Sequence, residues 1–573
     1  MNLRDLALSA QHTQRQKWLL ILSLIITLYI PLLSQTKVFA ASVGDGSIDS
    51  TVTLDDRTTN GPTLSDNDNY GSPITYLGDL NGDGVGDIAV GATGDDTGGT
   101  DRGAFYIHFL NSDGSIKSKV KIDGNTTNGA TLSDSDFYGN VTYIGDLNGD
   151  GVGDLAVGAS WDDAGGQDKG AVYIHFMNTD GSIDSTVKID DTTSNGPTLS
   201  TEDYYGTGIA SLGDLNGDGV RDIAVGARGD DAGGDGRGAV HIHFMNTDGS
   251  IDSTVEINSD TTNGPTITNS ARYGSSLSSI GDLNGDGVAD LAVGATFDSQ
   301  DSLLDGSLHI HFMNTDGSID STVEINSATV NGPNLIAVDL YGYSVTSLGD
   351  LNGDGVSDLA VGAIGDDAGG NGNGTTHIHF MNTDGSIDST VEINGNTTNG
   401  PTLTGGAAYG SGLASVGDLD GNGISDLAVG AYNSQAGGEF GALRGSVYIH
   451  FMHKVTTAST SVAENKFSED KRCHYAKPPE ITWIKITPEE ENGISGVLLT
   501  WTQYSANKVT IKIEDGTNSF PWKVDKTSND GHEFLPNVYA WQELKVKPYN
   551  HCKGGEYSIP ISYNLYPYGW YSD

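Results

Sequence analysis

The sequence predicts an all-β chain, a six-bladed β-propeller of four-stranded blades followed by a small β-sandwich, and three observations carry that reading. First, the string Gly-Asp-Leu-Asn-Gly-Asp-Gly-Val begins at Gly78 and returns at Gly145, Gly213, Gly281 and Gly349, with the variant Gly-Asp-Leu-Asp-Gly-Asn-Gly-Ile from Gly417. Between the first aspartates (Asp79, Asp146, Asp214, Asp282, Asp350, Asp418) the steps are 67 residues and then 68 four times, the constancy of one repeated structural unit. Second, each unit holds four short apolar stretches rich in Val, Ile, Tyr and Phe and bounded by Gly, Asp or Asn, while helical periodicity is absent. Third, the two ends of the array are complementary. Asp45 to Val52 matches the strand that elsewhere follows Ile-His-Phe-Met, and after Ile449-His450-Phe451-Met452 that strand is missing. Pairing of Ile48 to Leu54 with Val447 to Met452 would therefore complete the last blade and leave no exposed edge. A seven-bladed ring is the alternative count, and an open β-solenoid would not need complementary ends.

The elements follow in chain order. Arg4, Arg15 and Lys17 precede an apolar run from Trp18 to Leu33 and then Ser34 to Ala41, the order of a secretory signal over residues 1–40. Cleavage after Ala40 or Ala41, or retention as an uncleaved anchor, both place the remainder outside the cytoplasm as a secreted or cell-surface protein. No later segment is apolar enough to span a membrane. The propeller occupies 43–453. In its second repeat the strands read Ile116 to Ile122 at the leading edge, Val141 to Ile144, Leu155 to Ala159 and Ala171 to Met177. Asp180-Gly181, recurring as Asp248-Gly249, Asp316-Gly317 and Asp384-Gly385, is a tight-hairpin signal.

Charge narrows the function. The chain of 573 residues has 76 acidic and 29 basic side chains, net -47, which excludes a nucleic-acid binder. Residues 41–453 carry 12 basic and 60 acidic side chains, net -48. Two cysteines exclude a disulfide scaffold and a Cys-based zinc array.

Each repeat places Asp-x-Asn-x-Asp-Gly-x-x-Asp immediately before a strand. The side chains are Asp79, Asn81, Asp83 and Asp87; Asp146, Asn148, Asp150 and Asp154; Asp214, Asn216, Asp218 and Asp222; Asp282, Asn284, Asp286 and Asp290; Asp350, Asn352, Asp354 and Asp358. The sixth copy, Asp418, Asp420, Asn422 and Asp426, exchanges Asn and Asp at its third and fifth positions and keeps three carboxylates. Alternate oxygen side chains on a coiled loop converge on one hard cation, Gly84 permits the sharp turn, and the carbonyl of Val85 supplies a further ligand, as would Val152, Val220, Val288, Val356 and Ile424. Oxygen ligands without His or Cys point to calcium, about six ions, rather than zinc or copper. Asp/Asn/Gly turns alone would not require this spacing.

The repeat resembles the FG-GAP repeat of the integrin α-subunit propeller and of many bacterial surface proteins. Tyr-Gly stands for Phe-Gly at Tyr70, Tyr138, Tyr205, Tyr273, Tyr341 and Tyr409, and Gly-Ala for Gly-Ala-Pro at Gly91, Gly158, Gly226, Gly294, Gly362 and Gly430. The resemblance implies a propeller with calcium in these loops and a role in adhesion or ligand binding.

Lesser features have simpler readings. A His recurs on the third strand (His108, His175, His243, His311, His379, His450) and reads as structural. Arg228-Gly229-Asp230 spells a tripeptide that many integrins bind, but Thr93-Gly94-Asp95 and Ile364-Gly365-Asp366 stand at matching places, so the Arg reads as drift. Asp95-Asp96, Asp162-Asp163, Asp230-Asp231 and Asp366-Asp367 read as solvated turns, with help in binding a ligand or further cations as the alternative.

After a linker over 454–472, residues 473–573 hold five of the seven Trp, and Val497 to Thr502 and Lys508 to Ile513 alternate like sandwich strands. This segment looks similar to a fibronectin type III domain, with Trp501 as its early core Trp. Export permits a Cys473–Cys552 disulfide, and pairing between chains is the other option. Taken together, the sequence describes an exported, non-catalytic calcium-binding propeller that engages an extracellular protein or glycan. A lectin-like module is the alternative reading, and a propeller hydrolase or lyase the lesser one. No nucleophile elbow, zinc-protease helix or lone His/carboxylate set breaks the repeat symmetry. Even the deviant fourth-repeat stretch Asp298 to Asp305 reads as a substituted loop.

Overall fold

A computed structural model describes residues 43–163, 165–298, 304–435 and 443–455, together with the backbone of seven strands between 484 and 563. The chain divides into two units, Met1–Thr457 and Ala458–Asp573. Residues 1–42, which include the segment expected to be a secretory signal, lie outside the described residues, as do both cysteines and the expected linker beyond Val455. Among the described residues no helix is long and apolar enough to cross a membrane.

Strand β1 (Val43–Leu54) opens the first unit. Strands β2 (Tyr70–Gly78), β3 (Asp87–Ala92), β4 (Ala104–Leu110) and β5 (Ile116–Asp123) form an antiparallel sheet in chain order. The same sheet recurs as β6–β9 (residues 138–189), β10–β13 (205–257), β14–β17 (273–325) and β18–β21 (341–393). In the sixth sheet β22 (Tyr409–Ser415), β23 (Leu427–Ala431) and β24 (Ser446–Val455) are joined by β1, in the order β22-β23-β24-β1. The register runs from Ile48 opposite Met452, through Thr51 opposite His450, to Leu54 opposite Val447. Six sheets, not seven, close the ring, by the strand exchange that the ends of the array predict.

Composition sorts the strands by depth. The second and third strands, such as Asp-Ile-Ala-Val-Gly-Ala and Ala-Val-Tyr-Ile-His-Phe-Met, are buried at every position. The fourth, Ile-Asp-Ser-Thr-Val-Glu-Ile, is buried only at its two ends and faces outward between them. First strands of successive sheets pack on one another right round, β2 on β6, β6 on β10, and so on to β22 on β2, and they line the centre. The apolar cores lie between neighbouring sheets. Phe105 and Ile107 of the first share a cluster with Val141 and Val157 of the second, and Leu54 and Val447 share one with Tyr70 and Val90. Burial of several such side chains at each junction, at about 1.5–3 kcal/mol each, makes the blades depend on one another.

The two short repeat motifs act at these junctions. The backbone N–H of each Tyr-Gly tyrosine donates to a carbonyl of the preceding blade: Tyr138 to Arg102 (3.0 Å), Tyr205 to Lys169 (2.9 Å), Tyr273 to Arg237 (2.8 Å), Tyr341 to Asp305 (2.8 Å), Tyr409 to Asn373 (2.8 Å) and, across the closure, Tyr70 to Arg444 (3.1 Å). The Gly of each Gly-Ala lies so close to the Gly of the next blade's Tyr-Gly that a Cβ on Gly226 would overlap the Gly274 carbonyl oxygen. Gly226→Ala should therefore force two blades apart and cost about 1–3 kcal/mol, measured as a shift of the denaturant midpoint; an unchanged midpoint would show that the junction has slack.

In the second unit β25 (Ile484–Glu491), β26 (Ile494–Trp501) and β29 (His532–Pro536) form a three-stranded antiparallel sheet in that order. Strands β27 (Thr510–Asp515), β28 (Trp522–Asp525), β30 (Leu544–Tyr549) and β31 (Ile561–Tyr563) form a second, ordered β28-β27-β30-β31. The two stretches singled out by alternation fall on β26 and β27.

Candidate metal centre

Each nine-residue loop joins the first strand of a blade to its second, and its backbone coil is the same six times. The first aspartate uses one carboxylate oxygen to accept the N–H of the sixth residue: Gly84 to Asp79 (2.7 Å), Gly151 to Asp146 (2.8 Å), Gly219 to Asp214 (2.9 Å), Gly287 to Asp282 (2.8 Å), Gly355 to Asp350 (2.9 Å) and Gly423 to Asp418 (2.7 Å). That donor sits at φ 89° in Gly84, a left-handed conformation in which a side chain would be strained. The seventh residue's N–H turns back to the fifth side chain, as in Val85 to Asp83 (3.0 Å), Val152 to Asp150 (2.8 Å) and Ile424 to Asn422 (2.7 Å).

The ninth aspartate does something the spacing does not reveal. In all six blades it is fully buried, one oxygen accepts the N–H of the loop's second residue, and the other accepts an N–H from the end of the third strand. Asp154 accepts from Leu147 (2.9 Å) and Met177 (3.1 Å), and Asp426 from Leu419 (2.9 Å) and Met452 (2.9 Å). The carboxylate thus pins the loop to the blade. Burial pushes Asp87, Asp154, Asp222 and Asp290 up to about 6, and Asp358 and Asp426 to about 7. Each is a buried carboxyl held mainly by backbone N–H groups, and a bound divalent ion would supply positive charge beside it.

The loops are not equivalent. In the sixth, one oxygen from each of Asp418, Asp420 and Asp426 lies within 4.8 Å of the others, the only such group among the described residues. Oxygens at that separation can each approach one calcium ion at about 2.3–2.6 Å, so this donor set fits the ion. In the second to fifth loops the third-position Asn side chain donates to the fifth Asp, Asn148 to Asp150 at 2.9 Å and Asn216 to Asp218 at 2.8 Å, and the sixth keeps this bond with the positions exchanged, Asn422 to Asp420 at 3.2 Å. In the first, the Lys117 ammonium is 2.6 Å from Asp83 and holds that carboxyl below its usual range. Asp49, Asp184, Asp252, Asp320 and Asp388 stand at the matching places, so a cation on a loop carboxylate is particular to the first loop; in the sixth a different ammonium, that of Lys454, donates to the Asn422 carbonyl at 2.5 Å.

The repeated His is structural, as its recurrence implies. Each His Nε2 meets the hydroxyl of its blade's Tyr-Gly tyrosine, from Tyr138–His175 at 2.5 Å to Tyr70–His108 at 2.8 Å. In five blades Nδ1 meets a Thr hydroxyl that itself donates to an Asn carbonyl; His243, Thr254 and Asn195 are one such set, at 2.8 and 2.6 Å. That direction makes Nδ1 the protonated nitrogen and Nε2 the acceptor. Burial pulls His175 down to about 3, so it stays neutral. Lys119 replaces the Thr in the first blade and leaves His108 Nδ1 without a partner. Thr254→Val should strand both His243 Nδ1 and the Asn195 carbonyl and cost about 1–3 kcal/mol in chemical denaturation; a loss no larger than that of an exposed Thr would contradict the relay.

The paired aspartates are solvated turns at their second member alone, since Asp96, Asp163, Asp231 and Asp367 are exposed. The first of each pair is buried: Asp95 meets Lys121 at 2.7 Å, Asp162 meets Lys188 at 2.9 Å, and Asp366 faces His377 at 3.6 Å. The second closes its turn, as where Asp168 N–H donates to Asp163 at 2.9 Å. Arg228-Gly229-Asp230 is not a displayed tripeptide, because Arg228 lines the central channel and Asp230 is 6% exposed. Sequence reasoning missed Asp68, Asp136, Asp203 and Asp339, all buried two residues before the Tyr-Gly tyrosine, although their recurrence was visible.

The family model described as FG-GAP repeat matches residues 75–108, 138–175, 205–243, 273–307, 341–379 and 409–450. The chain is 33% identical over 207 residues to integrin alpha-PS3 of Drosophila melanogaster, covering 36% of this chain and 16% of the relative. It is 34% identical over 168 residues to integrin alpha-3 of Cricetulus griseus (28% and 14%) and 33% over 173 residues to integrin alpha-4 of Xenopus laevis (29% and 15%). Less than a fifth of each relative's length is therefore matched.

Proposed function

We propose that this ring of six FG-GAP repeats is an exported binding module, stabilised by calcium in its blade loops, that engages an extracellular protein or glycan without catalysing a reaction. The observation that carries the reading is the sixfold loop with one hydrogen-bond scheme, together with the three converging carboxylates of Asp418, Asp420 and Asp426. The remaining loops would hold calcium through the same positions, with Asp146, Asn148, Asp150, the Val152 carbonyl and Asp154 as the pattern. The ion would supply positive charge to a body of net -48. The repeated histidines do not suggest chemistry, since Tyr and Thr partners occupy them. Likeness to integrin α chains favours adhesion or ligand binding, and the signal-like residues 1–40 favour export. The Cys473–Cys552 bridge and a fibronectin-like second unit belong to the same proposal.

Calcium titration of the purified chain by calorimetry tests the ion, with about six sites expected, the sixth loop tightest and the first weakest. A chain that takes up no calcium at millimolar concentration would overturn it. Capture on protein and glycan arrays, with and without calcium, tests the binding role.

A further inference from the structure

The centre of the ring is a cavity of about 340 Å³ walled by the first strands of all six sheets, a volume within the small-ligand range. Its walls are rich in hydroxyls, among them Thr75, Thr142, Ser211, Ser279 and Ser411. Two cations, Arg228 and Arg272, also line it. The Arg228 guanidinium lies 5.2 Å from the Tyr204 ring centre and that of Arg272 lies 4.2 Å from the Phe297 ring centre. Among the described residues neither guanidinium has a hydrogen bond or ion pair, whereas Arg57, Arg102 and Arg444 are each bound to aspartate. In a body with 60 acidic and 12 basic side chains, two arginines without a carboxylate in one cavity are a departure that calls for a partner. Burial, and then the repulsion of Arg272, holds Arg228 below its ordinary pKa, an electrostatic cost that a bound anion would relieve.

The repeats also stop repeating at a position that reaches this cavity through Arg272 and Leu340. The residue before Tyr-Gly is Asn69, Phe137, Tyr204, Arg272, Leu340 or Ala408, and all six hold a positive φ between 50° and 59°. Bulky side chains kept in that conformation are strained, and a strained position that varies around an otherwise uniform ring marks a specific site. Trp161, 37% exposed, sits between Phe137 (5.3 Å) and Tyr204 (5.2 Å), and Tyr204 is the ring on which the lining Arg228 rests, so a flat apolar face lies one ring away from that guanidinium.

We propose that this cavity binds one carboxylate-bearing sugar, a uronate at the end of an extracellular glycan, with Arg228 and Arg272 taking the carboxylate. Two guanidiniums in one cavity suit a planar carboxylate, the Ser and Thr walls suit ring hydroxyls, and the Tyr204–Trp161 face next to Arg228 suits a sugar's apolar face. The wider charge restricts the ligand further. A polyanion would be repelled along its length by a body of net -48, whereas a single terminal uronate on a neutral chain meets that repulsion once. The inference rests on the reading of the propeller as a binding module and names its ligand class.

The test titrates the full chain, in calcium, with a glucuronate-terminated disaccharide, with the neutral disaccharide cellobiose, and with acetyl-aspartyl-glycine amide, followed by calorimetry and saturation-transfer NMR. The acidic disaccharide should bind, with both other probes at least about tenfold weaker, and Arg228→Gln or Arg272→Gln should each weaken it about tenfold or more. Neither guanidinium has a hydrogen bond or ion pair to lose among the described residues, so both variants should melt cooperatively within about 5 °C of the parent, and that melt certifies their fold. No binding at about 10 mM, equal binding by cellobiose, binding insensitive to both variants, or tighter binding of the acidic dipeptide would each overturn the assignment. A chain that captures a macromolecule on arrays yet ignores the uronate would leave the binding role standing and sink this site alone.

Discussion

Excess chelator is expected to lower the melting temperature of the propeller by more than about 10 °C, with recovery in calcium and little recovery in magnesium. The cause is charge held close in a folded ring. Each loop places three carboxylates within nine residues, so eighteen of the acidic groups in a body of net -48 depend on six small loops. Without an ion they repel, and the buried ninth aspartate must choose between a proton and an uncompensated charge. Six divalent ions would change -48 by +12, to -36. Three carboxylates with no bidentate Glu predict weak sites, about 0.1–1 mM, suited to extracellular calcium. At ten times the dissociation constant each site adds about 1.4 kcal/mol and six add about 8 kcal/mol, comparable with the net stability of a domain. Differential scanning calorimetry in millimolar calcium against excess chelator checks this, and identical melts would end the structural-calcium reading. Asp83→Ala should weaken one blade, and less than Asp420→Ala does, because Lys117 already neutralises part of the first loop.

Removing residues 43–54 is expected to be still more damaging, at a cost of about 5 kcal/mol or more. Ile48 and Leu54 are 5% and 0% exposed, and burial of two such side chains contributes about 1.5–3 kcal/mol each. The strand also supplies the Thr51 hydroxyl to His450 at 2.8 Å, and the Gly44 N–H donates to Leu351 of the fifth blade at 2.7 Å. Its loss would leave β24 as a bare edge and turn a closed ring into an open one, so the truncated chain should also self-associate by edge pairing. Splicing residues 43–54 after Val455 through an Asn-Thr-Asp-Gly turn, as in the other blades, should restore the melt and the monomer. Size-exclusion and thermal denaturation of the three chains decide it; a truncated chain that melts like the parent would show that closure contributes little.

Much of this molecule was legible because repetition multiplies weak signals. One Asp-x-Asn-x-Asp-Gly loop is a turn as readily as a metal site, but six at a 67–68 residue step define a unit, its strand count and its loop. Closure was legible for the same reason: a missing strand at one end and a spare at the other admit one pairing, and the register Ile48–Met452 to Leu54–Val447 follows. Gly91 and Gly139 were visible as motifs, but their reason, contact between neighbouring blades, was not.

What the sequence by itself determined is therefore everything periodic: the all-β class, six blades, the ring closure, the loop positions and the structural standing of the repeated His. What only the tertiary structure decided is everything that depends on which blade stands beside which. Periodicity treats the six copies alike, whereas the ring brings Phe137, Trp161 and Tyr204 together and sets Arg228 and Arg272 in the same channel without a carboxylate. Within single blades, folding also set Lys117 on Asp83 in the first and converged Asp418, Asp420 and Asp426 in the sixth. The physical reason is distance. Charges and rings interact over a few ångströms, residues 68 apart in the chain acquire such distances only once the blades have packed, and a repeat pattern carries no information about the side chains that break it.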